Sequence, residues 1–94
     1  MFLGIDVGSI SMKFSLFLPE GSTELSADLR GTFLDPEAVA LPGAGKGYIL
    51  SYDRLLGDPV RKVPERLLRW LAILGEENVR AIAVTGRKIG RAHV

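Results

Sequence analysis

The chain has no cysteine, which excludes disulfides and any iron–sulfur or zinc-thiolate site within it and leaves the redox compartment open. It also lacks an excess of either charge: 12 Lys and Arg against 11 Asp and Glu leave a formal net charge of +1. Chains that bind nucleic acid or membrane surfaces normally carry a concentrated basic excess, so neither reading gains support. No apolar run approaches the length of a membrane span. Met1 is not followed by the basic region, apolar run and small-residue cleavage site of a secretory leader. A soluble cytoplasmic protein is the expectation. No internal repeat is visible at solenoid or propeller spacings. The single histidine, His93, has no candidate ligands beside it in sequence and is assigned no chemistry.

What is present fits one small domain. At 94 residues, with 47% hydrophobic and 24% charged residues, the chain can bury a modest core. The first thirteen residues, MFLGIDVGSISMK, carry most of the functional signal. Leu3, Ile5 and Val7 alternate with Phe2, Gly4, Asp6 and Gly8, which places the aliphatic set on one face of a strand and a lone carboxylate, Asp6, on the other. A buried, unpaired carboxylate in a hydrophobic strand is costly and usually has a cation or a hydrogen-bond network to face, and Asp6 is expected to be one. Gly4 and Gly8 remove the side chains that would crowd whatever approaches it. Gly8-Ser9-Ile10-Ser11 can turn the chain into a second strand from Met12 to Leu18, forming a hairpin.

Further along, Pro19 to Ser22 reads as a turn, and residues 22–46 as a long excursion. Within it, Leu29 to Leu34 is a candidate short strand, Asp35-Pro36 a turn, and Leu41 to Gly47 a flexible loop rich in glycine. Tyr48 to Tyr52 has strand character, with Tyr48, Leu50 and Tyr52 on one face. Asp58 and Pro59 announce a helix, although Pro64 moves its regular part to about Val63. Val60, Val63, Leu67, Leu71 and Leu74 form its apolar stripe, Trp70 packs at the stripe's edge, and Gly75 ends it. Val79 to Thr85 reads as a buried strand closed by Gly86. The order predicts an α/β domain whose mixed sheet is built from a β-hairpin plus a β-α-β unit.

Two readings of the hairpin stay open on spacing. In one, Asp6 orders magnesium through metal-bound waters. The N–H groups of Gly8, Ser9, Ile10 and Ser11, with both serine hydroxyls, then meet phosphate oxygens, and Lys13 adds a point charge. In the other, Asp6 only hydrogen-bonds its own turn. Thr85 and Gly86, at a strand end, either face a ligand cleft or simply turn the chain. The segment from Leu41 to Gly47 is not a P-loop, because Ala40 stands where the first glycine is needed and Gly47 where Ser or Thr is needed. Arg61, Lys62, Arg66 and Arg69 are interspersed with Glu65 and read as a solvated helix face.

GIDVGSISMK resembles the first phosphate motif of the superfamily of actin, sugar kinases and heat-shock chaperones. Within it, Gly4, Ile5, Asp6, Val7, Gly8, Ser9, Ser11 and Lys13 are similar to the opening Gly-Ile-Asp-Val-Gly-Ser-x-Ser-x-Lys pattern of the ATPase activators of 2-hydroxyacyl-CoA dehydratases and benzoyl-CoA reductases. Val84-Thr85-Gly86 followed by Arg87 to Arg91 echoes their Thr-Gly-x-Gly-Arg segment, with glycine and arginine spaced more widely here. The resemblance implies a ribonuclease H-like, actin-like ATPase subdomain and an amino-terminal portion of a longer chain, with residues 22–46 as a loop insertion. It implies ATP and Mg²⁺ as ligands, and hydrolysis that drives electron transfer from a [4Fe–4S] cluster whose cysteines would lie downstream. A dehydratase or reductase partner and a homodimer of the intact protein follow from the same likeness. A small-molecule kinase of this superfamily and a non-catalytic actin-like assembly module are the alternatives.

Overall fold

The computed structural model describes residues 1–55 and 57–86; the Arg87–Arg91 echo and His93 lie outside them. The elements are β1 (Phe2–Val7), β2 (Ser11–Pro19), α1 (Ala27–Arg30), β3 (Asp35–Leu41), β4 (Gly45–Arg54), α2 (Pro59–Leu74), a 3-10 turn (Glu76–Asn78) and β5 (Ala81–Gly86). The five strands form one mixed sheet in the order β3-β4-β2-β1-β5. Only β1 and β5 pair in parallel; the other three neighbours are antiparallel. The expected hairpin and strand–helix–strand unit are both present. Among the described residues, no helix is long and apolar enough to cross a membrane.

Alternation along β1 and β2 buries Leu3, Ile5, Val7, Met12, Phe14 and Leu16 on one face, and α2 lies over that face. From the helix, Trp70 and Leu74 are buried, with Val63, Leu67 and Leu71 packed around them. Trp70 thus sits in the core rather than at its edge, while Val60 is 85% exposed. Phe33 meets Tyr48 and Trp70 edge-on, with ring centroids 5.4 and 6.0 Å apart. Such tilted pairs add to the area they bury.

The helix starts at Pro59, four residues before the expected Val63. Asp58 caps it, its carboxylate accepting from the Arg61 N–H at 3.3 Å and its carbonyl from the Lys62 N–H at 3.0 Å. Pro64 cannot donate to the carbonyl of Val60, but Val60 is an exposed residue of the first turn, where a missing intrahelical bond costs least.

The excursion carries structure of its own. Ala27–Arg30 is a helical turn capped by the Ser26 hydroxyl, which accepts from the Leu29 N–H at 3.1 Å, where a strand was expected. Asp35 to Leu41 is an edge strand, and Leu41 to Gly47 is its hairpin into β4 rather than a flexible loop. Proline is compatible with this strand because it lies at the sheet's edge and its register breaks between Asp35 and Val39. Gly45 holds the junction: a Cβ there would overlap the Leu18 carbonyl oxygen.

At the opposite edge, β5 is not buried as expected. Register places Ile82 and Val84 beside Leu3 and Ile5 on the helix side, yet they are 40% and 60% exposed, and the hydrogen bond and ion pair from α2 to the sheet go to β4.

Candidate functional site

β1, β4 and β5 run in the same direction, so their carboxyl ends meet at one end of the sheet, beside the turn between β1 and β2. On the face away from α2, register lines up a polar row there. Asp6 pairs with Thr85 on one side and with Lys13 on the other, and Lys13 pairs with Tyr52. The Thr85 hydroxyl donates to Asp6 Oδ1 at 3.1 Å. Asp6 is exposed, not buried, and its partner is a residue of β5 rather than its own turn.

The turn itself is tight. The Gly8 N–H donates to the Ser11 carbonyl at 2.8 Å, so that amide is engaged within the hairpin. The amides of Ser9 and Ile10 make no hydrogen bond among the described residues, and both residues are exposed. The Ile10 carbonyl accepts from the Leu55 N–H at 3.0 Å, which ties the end of β4 to the turn. Gly8 has no positive φ, and a Cβ there would lie 3.4 Å from the Ser11 carbonyl oxygen. The turn therefore accommodates a Cβ at this position, whose nearest neighbours would be Ser11 atoms.

Tyr52 reaches this face through an irregularity that sequence periodicity could not reveal. Phe14 pairs with Ser51 but the next residue, Ser15, pairs with Ile49, leaving Leu50 as an extra residue on β4. Such a bulge reverses the facing of everything beyond it. Tyr48 and Leu50 point into the core as expected, whereas Tyr52 is 63% exposed on the opposite face. Ser51 and Asp53 turn towards α2, where Ser51 Oγ accepts from the Trp70 indole N–H at 3.1 Å and Asp53 pairs with Arg66 at 3.1 Å.

Among the described residues, no three His, Cys, Asp or Glu side chains group around a common point. The donor set at the sheet end is one carboxylate, hydroxyls, free amides and a lysine. It suits a hard cation that retains its waters and is shared with a phosphate, and not a metal held in an all-protein cage. Two hollows of about 230 and 290 Å³ are lined elsewhere, one by Leu18–Ser22 and Lys46 and one by Phe2, Phe17 and Ile49; Asp6 borders neither. Comparison with family models, curated proteins and solved structures gives no match.

Proposed function

We propose that this chain is the amino-terminal wall of an actin-like, ribonuclease H-like ATPase, most similar to the CoA-dehydratase activators. The observation that carries the reading is the Thr85–Asp6–Lys13 row at the carboxyl ends of β1 and β5, beside a glycine turn with two unengaged amides. Asp6 Oδ1 accepts from Thr85, which fixes the carboxylate and leaves Oδ2 for metal-bound water. Mg²⁺, when bound, would neutralise phosphate charge. The Ser9 and Ile10 amides, the Ser9 and Ser11 hydroxyls and Lys13 are the groups that would hold phosphate oxygens, Gly8 serves by having no side chain, and Gly86 closes the strand that presents Thr85. One wall does not pre-organise nucleophile and metal together, so turnover belongs to the longer protein. In that protein, residues 22–46 are an insertion, any [4Fe–4S] cluster draws its cysteines from elsewhere, and the setting is cytoplasmic.

The test is magnesium-dependent ATP turnover by the intact protein with Asp6 replaced by Asn. Loss of turnover with retained circular dichroism supports the reading, and undiminished turnover removes the metal role of Asp6.

A further inference from the structure

Two residues of β4 stand at the same end of the sheet, outside the phosphate-motif likeness. Lys13 pairs with Tyr52 and Ser11 with Arg54. By strand alternation, all four lie on the face that carries Asp6. The bulge at Leu50 is what brings them there: without the extra residue, Tyr52 and Arg54 would face α2. The Leu55 N–H bond to the Ile10 carbonyl, at 3.0 Å, anchors the Arg54 end of β4 against the Ser9–Ile10 turn.

Arg54 is exposed. The ion pairs among the described residues are Lys46–Glu24 and Arg66–Asp53, so neither Arg54 nor Lys13 is neutralised by a described carboxylate. The Tyr52 and Ser11 hydroxyls lie 3.4 Å apart, longer than a good O–H···O bond of about 2.7–2.8 Å. Each keeps capacity for another partner. Lys13, Arg54 and the Ser11 and Tyr52 hydroxyls thus share one end of this face with Asp6, beside a turn whose Ser9 and Ile10 amides are unengaged.

We infer that Arg54 and Tyr52 extend this wall into a polyphosphate-binding surface. Arg54 and Lys13 share the phosphate charge, and Tyr52 donates to a phosphate oxygen while positioning Ser11. This rests on the reading of Asp6 as a magnesium-phosphate residue, but it adds an anion site that functions without the metal. A guanidinium offers paired donors to phosphate oxygens that lysine cannot match. The β4 bulge is therefore a functional feature of the sheet as well as a packing one.

The test is isothermal titration of inorganic tripolyphosphate into the chain at low ionic strength, without magnesium. The wild-type chain binds, and Arg54→Gln weakens binding about tenfold or more, as loss of a charge-assisted hydrogen bond requires. Arg54→Lys recovers part of the loss, Tyr52→Phe weakens binding several-fold, and Asp6→Asn tightens it by removing a neighbouring negative charge. Undetectable wild-type binding, or Arg54→Gln and Tyr52→Phe both binding like wild type with unchanged thermal midpoints, overturns the inference. The magnesium reading is judged separately, by whether Asp6→Asn loses MgATP. The same substitution thus shifts the two titrations in opposite directions.

Discussion

The Thr85 hydroxyl donates to Asp6 Oδ1 across 3.1 Å, joining the carboxyl ends of two parallel strands from opposite ends of the described chain. The bond fixes which carboxylate oxygen stays open. Because it is exposed, it adds little to stability but sets the orientation of Asp6. Thr85→Val removes the donor at nearly constant shape. The expected outcome is a change in unfolding free energy of about 1 kcal/mol or less, with MgATP binding weakened several-fold. Urea melts and calorimetric titration check the two parts. Binding equal to wild type separates Thr85 from the site.

Gly45→Ala is expected to cost about 2 kcal/mol or more, through backbone overlap and an unfavourable conformation. Gly45 has φ +152° and no room for a Cβ against the Leu18 carbonyl. For a domain of this size, the loss lowers the thermal midpoint by about 8 °C or more. A midpoint within 2 °C of wild type would show that β4 can shift away from β2 at this end.

The bulge has its own reporter, since Trp70 is the one tryptophan in the sequence and donates its indole N–H to Ser51 at 3.1 Å. Ser51→Ala strands that donor in a largely buried place and is expected to cost about 1–3 kcal/mol. Altered Trp70 emission should accompany the loss. Unchanged stability and emission would contradict the placement of Ser51 on the helix side.

The pH dependence of one surface pair has a definite sign. The Lys46 ammonium donates to Glu24 at 2.7 Å; this hydrogen bond first, and the charge attraction second, holds the Glu24 carboxyl below its usual value and raises that of Lys46. A lowered carboxyl pKa stabilises the fold above the unfolded value, and that contribution is lost as pH falls through the folded one. A raised lysine pKa stabilises below the unfolded value and is lost as pH rises through the folded one. The stability difference between wild type and Glu24→Gln should therefore be present at neutral pH and vanish in acid. Because both groups are exposed, the difference is small and shrinks with salt. A difference that persists at pH 2 contradicts the pairing.

Much of this site was legible in sequence because period-two alternation and the Gly-Ile-Asp-Val-Gly-Ser run fix one strand, its faces and its turn. Asp6 and Lys13 belong to that hairpin, whereas Thr85 stands out only by its place at a strand end and by the Val84-Thr85-Gly86 likeness, and only the register of β1 with β5 discloses its bond to Asp6. Tyr52 was placed on the wrong face and Arg54 was not singled out, because the extra residue at Leu50 reverses the periodicity and leaves no compositional mark. The edge strand at Asp35–Leu41 was hidden by Pro36 and by the glycines after it, which weigh against a strand unless its edge position is known. Helix α2 began earlier than Pro64 suggested because the Asp58 cap and exposed first turn tolerate the missing N–H.

The most direct measurement is calorimetric titration of ATP into the chain, with and without magnesium, for wild type and Asp6→Asn. The account predicts that magnesium tightens binding to wild type and that Asp6→Asn abolishes this gain while its thermal midpoint stays close to wild type. Equal magnesium dependence in the two proteins, or no binding of ATP by either, would contradict it.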